Sequence, residues 1–387
     1  MTSRTRRGAH QPRIGVVGGG QLARMLAHAA DRLDLELVAL AKPTDTSLLG
    51  RHGVVVADPD EPGVLESFAA DVDVLTFEHE LVDPDALARI EATGVPVRPG
   101  PGVLALANKA TQRRTLGDLG FPVPPFVVAT SRDDVESFAA AHPGGIVVKT
   151  ATGGYDGRGV YVLDDRNLDG VPEELFDGRQ LVVEPRLDIE CELAVLVARR
   201  PGGESVVYPV VETVQRRGMC REVLVPSGRS ASVDAAASEV GAAIADAIGA
   251  VGMLAIELFV VDGVVTINEL APRVHNSGHL TIEACVTSQF ENQLRAVADL
   301  PLGSPELRVP AAAMVNVVGD ELGTDPHDHL VDGLVAGDAS VHLYAKAPRP
   351  ERKIGHVTAT AADRETARKQ AAAVVDALMT PSTPEAR

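Results

Sequence analysis

The sequence predicts an α/β protein with two or three domains. Its 387 residues exceed the length at which a single hydrophobic core usually stops growing. A strand at 13–17 runs into three glycines and then into a helical pattern at 22–30, which is how a doubly wound domain opens. Further strands are predicted at 35–40, 53–57, 73–77 and 95–97. Because helical patterns alternate with these strands, we expect a compact α/β unit through about residue 105.

Charge and composition argue against several classes of function. The net charge of −18 disfavours a general nucleic-acid or anionic-membrane surface, since both partners are themselves negative. The three cysteines, Cys191, Cys220 and Cys285, lack metal-ligand spacing and suit a reducing compartment as small core residues. No apolar run reaches membrane-spanning length, and none follows the basic N-terminal residues, so neither a transmembrane helix nor a signal peptide is expected.

The glycine turn after the first strand allows two interpretations. Gly18, Gly20 and Ala23 fit the dinucleotide fingerprint, and the amides at the helix start are expected to be free to meet an anion. The second strand ends in Ala41-Lys42-Pro43, without the acid that would hold a ribose, which argues against nicotinamide binding. Residues 78–80 (Glu-His-Glu) follow another strand at the usual ligand edge, although a solvated loop fits them equally well.

A second unit carries a glycine-rich loop. After a predicted helix at 108–119, a strand at 145–149 ends at Lys149, and four glycines follow between Gly153 and Gly159. Such a loop can lay backbone amides against phosphates and can move as a lid, but it lacks the Gly-Lys-Ser/Thr ending of a Walker loop. A plain glycine hairpin is the alternative. In the next strand, 181–187, Glu184 is placed to accept from an amine, and the backbone could pair with an adenine edge.

Two acids lie on a predicted hairpin. Strands at 253–261 and from Val264 onward flank the turn Asp262-Gly263 and carry Glu257 and Glu269, with Asn268 beside the second acid. These are hard oxygen ligands of the kind that hold magnesium beside nucleotide phosphates. A two-residue turn would put Glu257 opposite Asn268 and send Glu269 to the other face, whereas a longer loop or a bulge would put both acids on one face. The alternative is an ordinary hairpin with solvent-facing acids.

A cluster of cations lies near the C-terminus. Between the acid hairpin and this region, the periodicity predicts a helix from residue 279 to about 299 and a strand at 309–318. Lys346, Arg352 and Lys353 then lie at two strand ends. In a chain this acidic, three clustered cations predict an anion site, most simply for phosphate, and a basic surface patch is the alternative.

Four strings in this order resemble the ATP-grasp ligases and, within them, the 5-(carboxyamino)imidazole ribonucleotide synthases of bacterial purine synthesis. The strings are 18–25, Lys149 with 153–159, 268–279 and 352–356. The resemblance implies an α/β ATP-grasp fold with three domains. These are an N-terminal Rossmann-like (pre-ATP-grasp) domain at 12–105, a small ATP-grasp subdomain with the glycine-rich loop at 106–187, and a C-terminal ATP-grasp domain with the magnesium and phosphate sites at 188–380.

The resemblance also implies the chemistry. The expected enzyme is an ATP-dependent carbon–nitrogen ligase that joins bicarbonate to the exocyclic amine of 5-aminoimidazole ribonucleotide through carboxyphosphate, with ATP and Mg²⁺ as cofactors. The products would be 5-(carboxyamino)imidazole ribonucleotide, ADP and phosphate. A cytoplasmic homodimer is expected. Whether the amine attacks carboxyphosphate or the carbon dioxide that it releases stays open.

The resemblance implies a role for each residue of this sequence that matches a position of the family's motifs. Glu257 and Glu269 are the expected magnesium ligands. Asp156, Arg273 and Lys346 are the expected catalytic residues, and Asp156 either accepts the proton of the amine or orders the glycine loop. The residues expected to contact ATP are Lys109, Lys149, Gly154, Tyr155, Asp156, Gly157, Arg158, Gly159, Val160, Glu184, Pro185, Arg186, Leu187, Glu192, Gln215, Asn268 and Glu269. The residues expected to contact the imidazole nucleotide or bicarbonate are Gly20, Gln21, Glu78, Arg273, His275, Asn276, Lys346, Arg352 and Lys353. Gln215 is a departure, because the family commonly has histidine there.

Three other functions remain as alternatives. Another ATP-grasp ligase would share Lys149, Glu257 and Glu269 but would not need the C-terminal cations or the string at 18–25. A nicotinamide oxidoreductase predicts NAD binding and no ATPase activity. A non-catalytic ATP-binding module would not need both acids and both lysines.

Overall fold

The computed structural model describes residues 11–48, 53–154, 157–163 and 170–380, which form three β-sheets. The first sheet is parallel, with strand order β3-β2-β1-β4. Its elements are β1 (Ile14–Val17), α1 (Gln21–Leu33), β2 (Leu37–Ala41), β3 (Gly53–Val56), α2 (Val64–Ala69), β4 (Val74–Phe77), α3 (Pro84–Ala92) and α4 (Pro101–Leu104). This is the expected α/β unit.

The predicted strand at 95–97 is wrong. Only one bridge forms there, between Val97 and Leu75 of β4. Pro96 lies within the segment and Pro99 follows it, and a proline has no N–H to donate to a ladder.

The second sheet is small and antiparallel, with strand order β5-β8-β6-β7. Its unit contains α5 (Lys109–Asp118), β5 (Val127–Ala129), α6 (Arg132–Ala141), β6 (Ile146–Thr150), β7 (Val160–Leu163) and β8 (Leu181–Pro185). Lys149 and Glu184 lie on neighbouring strands of this sheet, where Val147 pairs with Glu184 and Lys149 with Val182.

The third sheet has nine strands in the described part of the chain. Its strand order is β14-β13-β9-β11-β12-β15-β17-β16, and β10 pairs with β9. The strands are β9 (Cys191–Arg199), β10 (Ser205–Val207), β11 (Val211–Arg216), β12 (Met219–Val225), β13 (Gly252–Val261), β14 (Val264–Ala271), β15 (Ala311–Val318), β16 (Ser340–Leu343) and β17 (Lys353–Ala361). The helices are α7 (Ala231–Ala247), α8 (Thr281–Ala284), α9 (Gln289–Val297), α10 (Leu330–Ala336) and α11 (Arg364–Met379).

Helices cover both faces of the central strands. Alternate residues of β9 point to opposite faces, so Val195 packs in a core with α7 while Leu196 packs in a core shared with α1 and α9. The core that contains Leu196 also contains Leu26 of α1 and Phe290 of α9. This core therefore joins the first domain to the large sheet. In the residues that the structure describes, no helix is long and apolar enough to cross a bilayer.

The helix predicted from 279 to about 299 is broken into two. Residues 285–287 leave the helix and pair with 304–307, through bonds such as Val286 N to Glu306 O at 2.9 Å. Ser288 then caps the new helix, α9, by accepting from Glu291 N at 3.2 Å. The break matters because it places Gln289 in the first turn of α9, facing the candidate site. Helix α11, which begins after the capping residue Asp363, was not predicted from the sequence.

Candidate active site

The two acids of the hairpin lie directly opposite each other. Val261 pairs with Val264 across a two-residue turn whose residues both have positive φ, 50° at Asp262 and 71° at Gly263. The register then shifts, so that Leu258 pairs with Ile267 but Glu257 pairs with Glu269. The turn is therefore tight, and a bulge at Asn268 places both glutamates on one face.

The carboxylates of this pair have unequal partners. Lys109 Nζ forms an ion pair with Glu269. Glu257 receives a hydrogen bond from Asn268 Nδ2 at 3.2 Å and has His275 Nε2 at 3.5 Å. Burial of the carboxyl group, with the nearby charges of Glu269 and Glu192, raises the pKa of Glu257 to about 7. A bound cation would therefore stabilise the ionised carboxylate of Glu257.

A buried charge triad lies beside the acids. Arg113 Nε and Lys149 Nζ both pair with the carboxylate of Glu184, the lysine at 2.7 Å, and all three residues are less than 9% exposed. Burial lowers the pKa of Lys149 more than Glu184 raises it. For Glu184, burial acts to raise the pKa, but Lys149 and Arg113 lower it further, so it stays ionised at neutral pH.

The triad bears on one expectation. Both oxygens of Glu184 are bonded to protein cations, which use part of the acceptor capacity predicted for an amine of a ligand. Pro185, Arg186 and Leu187 follow at the end of β8, where Arg186 N bonds to Gly145 O at 2.9 Å. The backbone there remains the predicted adenine contact.

Asn268, the bulge residue, joins the triad to the acids. Its Oδ1 accepts from Lys149 Nζ at 3.2 Å and its Nδ2 donates to Glu257. Arg113 also donates to its backbone carbonyl. The amide orientation follows from chemistry, because an ammonium can only donate and a carboxylate can only accept.

Glu192 lies on β9, on the far side of β13 from the Glu269 strand, and its carboxyl is hydrogen-bonded to Gln215. The register of β11 shifts at Val214/Gln215, which locates Gln215 at a bulge. Burial raises the pKa of Glu192 to about 7, against the opposing effects of Lys149 and Gln215.

The start of α1 differs from the expectation. Its amides are not free, because Gly20 N donates to Glu78 Oε1 at 2.6 Å and Ala23 N to Glu78 Oε2 at 3.0 Å. A Cβ on residue 18, where φ is +109°, would lie 2.3 Å from Glu78 Cγ. The glycines thus accommodate a carboxylate of the protein itself at the position where a dinucleotide would bring its pyrophosphate.

Residues distant in sequence meet at the other side of the site. Arg273 Nε pairs with Glu80 Oε1 at 2.7 Å, and Lys346 Nζ bonds to Gln21 Oε1. Lys353 lies close enough to influence the pKa values of Glu257 and His275. The structure therefore brings Lys353 near the acid hairpin and brings Gln21 and Lys346, 325 positions apart, together.

Arg352 belongs to the same cation group. Its side chain donates to Ala347 O at 3.2 Å. Burial, and then the charge of Arg349, lower its pKa. Two guanidinium groups this close favour an anion between or beside them.

His275 is a neutral hydrogen-bond donor. Its Nδ1 accepts from Ser277 N at 3.3 Å and lies 2.9 Å from Ser277 Oγ. Because a backbone N–H can only donate, Nδ1 is the acceptor and the ring proton lies on Nε2, which faces Glu257. Burial, and then Arg273 and Lys353, lower the pKa of His275 to about 3. The neighbouring Asn276 exchanges two side-chain hydrogen bonds with Asn316, at 2.9 and 2.8 Å.

The glycine loop is described in part. Gly154 precedes the gap, and Gly157, Arg158 and Gly159 form the turn before Val160 of β7. Tyr155 and Asp156 lie outside the described residues. In the described part of the chain, no group of three or more histidine, cysteine, aspartate or glutamate side chains is arranged to hold a metal ion.

Several residues of the site were missed from the sequence. They are Arg113, Glu80, Ser277 and Gln289. Glu80 was noticed only as part of a polar loop. No local pattern distinguishes the others from ordinary helix or turn residues. Arg113 meets Glu184, 71 positions away. Gln289 meets His275, 14 positions away, while Ser277 is an ordinary turn residue two positions from His275.

Comparisons with known proteins cover nearly the whole chain. Three family models match: the ribonucleotide synthetase preATP-grasp domain at 12–108, the ATP-grasp domain at 114–290 and the phosphoribosylaminoimidazole carboxylase C-terminal domain at 312–370. The chain is similar to N5-carboxyaminoimidazole ribonucleotide synthase of Mycobacterium tuberculosis, with 42% identity over 91% of this chain and 84% of that protein. It is also similar to the enzyme of that name from Synechococcus elongatus, with 39% identity over 89% of this chain and 88% of that protein.

A solved structure agrees with the sequence relatives. N5-carboxyaminoimidazole synthase from Aspergillus clavatus, in complex with ADP and 5-aminoimidazole ribonucleotide, has a TM-score of 0.86 and 31% identity, covering 95% of this chain and 98% of its own. The expected fold is confirmed: an ATP-grasp domain, preceded by a preATP-grasp domain and followed by a specialised C-terminal domain.

Proposed function

Because the chain belongs to the N5-carboxyaminoimidazole ribonucleotide synthase family of ATP-grasp enzymes, we propose that it carboxylates the exocyclic amine of 5-aminoimidazole ribonucleotide. Bicarbonate and ATP would be the other substrates, and the step would serve purine synthesis. The observation that carries the proposal is the opposed pair Glu257 and Glu269. Lys109 pairs with Glu269, Asn268 joins Lys149 to Glu257, and Lys353 lies close enough to influence the pKa of Glu257.

ATP would bind along the small sheet and the acid hairpin. Lys149 and Lys109 are positioned to neutralise its phosphates, and the backbone amides of 154–160 would contact the same groups. The backbone of 184–187 would meet the adenine. Glu192 would bind the ribose, held in place by Gln215. A carboxyl with a pKa of about 7 can either accept or donate to a ribose hydroxyl.

The residues present fit magnesium. Glu257 and Glu269 offer two carboxylates on one face. Burial, and then the charges of Glu269 and Glu192, raise the pKa of Glu257, and a bound cation would offset both effects. Bound there, magnesium would neutralise charge at the reacting phosphates. Lys109 would share that task, because it already lies against Glu269.

The chemistry proceeds in two steps. A bicarbonate oxygen attacks the γ-phosphorus, the bond to the β-phosphate oxygen breaks, and ADP leaves as carboxyphosphate forms. The amine nitrogen then bonds to the carboxyl carbon, either of carboxyphosphate or of carbon dioxide released from it, and inorganic phosphate leaves. Arg273 and the Nε2–H of neutral His275 would bind the anionic oxygens, and Asn276 would orient the imidazole. Asp156 would take the amine proton.

The C-terminal cations would bind the nucleotide's 5′-phosphate. Lys346, Arg352 and Lys353 are the candidates, and the mutual proximity of Arg352 and Arg349 supports an anion there. Gln21 would join Lys346 at this subsite. Glu78 would act by holding the start of α1 in its conformation, and Gly20 would contribute through its backbone N–H, which donates to Glu78.

We also propose that the enzyme is a cytoplasmic homodimer with domains at 12–105, 106–187 and 188–380. The free thiols support a reducing compartment, and the second sheet ends at Pro185 before the third begins at Cys191. Light scattering on the purified chain measures the number of subunits.

ADP release tests the proposed function. The purified chain is incubated with ATP, Mg²⁺ and bicarbonate, with and without 5-aminoimidazole ribonucleotide, and both ADP and the carboxylated product are measured. We expect product only in the complete mixture. If ADP is released at the same rate with and without the imidazole nucleotide, and no carboxylated product forms, the result would favour another ATP-grasp ligase.

A further inference from the structure

We propose that Gln289, at the start of α9, is a positioning residue for His275. The inference rests on the proposed function, since His275 is placed there at the reacting oxygens. Gln289 is fully buried. Its Oε1 accepts from His275 N at 2.9 Å and its Nε2 donates to His275 O at 2.7 Å.

This two-point bond fixes the peptide on both sides of His275. A strand neighbour holds a residue in the same way, by taking its N–H and its C=O together. The backbone of His275 is extended, with φ −132° and ψ 155°, and in this conformation its ring caps Ser277 N. The Ser277 bond in turn keeps the proton on Nε2, facing Glu257. Gln289 therefore controls the direction of the His275 proton without touching a substrate.

The surroundings leave the carboxamide little freedom. Gln289 Nε2 also lies 3.2 Å from Nδ1 of the buried His279, and Gln289 N donates to Thr281 Oγ1 at 2.9 Å. A Cβ on residue 278 would lie 2.4 Å from Gln289 Oε1, so only glycine allows this approach. The turn at 275–281 is thus fastened to the first turn of α9.

The same helix supplies a matched control. Gln293, four residues later, is also buried, and its carboxamide accepts from Met253 N at 2.5 Å and donates to Thr76 Oγ1 at 2.9 Å. Met253 lies at the start of β13, away from the Asp262-Gly263 turn at the other end of that strand. Neither partner of Gln293 belongs to the candidate site. Replacing either glutamine by methionine removes a buried carboxamide of similar size from α9.

The test compares Gln289→Met with Gln293→Met in the complete reaction. We expect Gln289→Met to lower kcat about 10²-fold, the order of effect of misplacing a reacting group by about an ångström, with KM for ATP changed less than about threefold. Gln293→Met should keep kcat within about twofold of wild type. Equal losses in kcat for both variants would overturn the positioning role.

A spectroscopic measurement separates positioning from loss of stability. With ¹⁵N-labelled histidine, the Nδ1 and Nε2 shifts of His275 report its tautomer, and assignment comes from a His275→Gln sample. We expect Nε2–H in wild type and Gln293→Met, and a mixture in Gln289→Met. If Gln289→Met does not fold, Gln289→Glu keeps the shape and the acceptor for His275 N while removing both donated bonds, and the same mixture is expected. An unchanged tautomer in the folded variant would refute the inference.

The two proposals fail differently. If wild-type protein makes no carboxylated product, the proposed function is wrong, but the tautomer comparison still decides on Gln289. If wild type is active and Gln289→Met matches it, only the inference about Gln289 is wrong.

Discussion

Replacing Glu184 by glutamine is expected to destabilise the protein far more than a typical charge-neutralising substitution. Glu184 pairs with both Lys149 and Arg113, and it is 3% exposed. The substitution is nearly isosteric, so packing changes little, but two cations remain buried with a neutral partner. Removing one member of a buried ion pair costs about 3–5 kcal/mol, because the remaining charge is left uncompensated.

The matched control is Glu173→Gln. Glu173 belongs to the same unit and pairs with Arg132, but its side chain is 75% exposed. An exposed pair contributes about 0–1 kcal/mol. Thermal unfolding followed by circular dichroism measures both variants. A loss of about 3–5 kcal/mol corresponds to a fall in Tm of about 6–20 °C for a cooperative unit of about 150–250 residues, against about 4 °C or less for the control.

The effect should also depend on pH in a defined direction. Without Glu184, the folded-state pKa of Lys149, which burial already lowers, falls further below its unfolded value of about 10.4. The folded variant then releases its proton at a lower pH than the unfolded chain does, so its stability rises with pH through that window. The stability gap to wild type should therefore be smaller at about pH 9.5 than at about pH 7. Equal Tm losses for Glu184→Gln and Glu173→Gln would refute the buried-triad argument.

Three further predictions concern the reaction itself. Glu269→Gln should lower kcat about 10²–10³-fold with an intact fold, because charge neutralisation at the phosphates weakens; near-normal ADP release at millimolar magnesium would contradict the metal assignment. Lys353→Ala should raise KM for the imidazole nucleotide about 10–100-fold, as expected for a lost charge-assisted bond, with little change for ATP; equal increases for both ligands would place the cation in another subsite. Asp156→Asn should still release ADP but form less carboxylated product for each ADP, and an unchanged ratio would leave Asp156 as a loop-ordering residue.

The sequence predicts which residues carry the chemistry better than it predicts how they face one another. Glu257 and Glu269 stand out because acids interrupt two apolar strands, and the turn at Asp262-Gly263 is evident. Their common face depends on one extra residue, Asn268, and a bulge leaves no mark in the period-2 pattern. The alternatives for the register could be written down from the sequence, but only the structure distinguishes them.

Long-range partners explain the other differences. Arg113 lies in the middle of α5, where a charged residue is normally on the solvent side, and it is buried only because Glu184, 71 positions away, neutralises it. Glu78 has the position of a ligand-binding acid, yet it caps a helix whose N-cap residue, Gly20, lies 58 residues earlier. A pattern confined to one segment cannot show such pairs, since they form only when elements that are distant in the sequence pack together.

The charges of the site explain why residue 268 is an amide. On one side, Arg113 and Lys149 share a single carboxylate, which leaves one net positive charge. On the other, Lys109 pairs with Glu269 and also lies close enough to influence Glu257, which leaves one net negative charge when both acids are ionised. Asn268 bonds to both clusters through opposite ends of a neutral group. An aspartate there would neutralise Lys149 and repel Glu257, and a lysine would do the reverse, so either change would erase the separation of charge. Under the proposed function, this separation would give ATP a positive region for its phosphates directly beside a negative region for the cation that accompanies them.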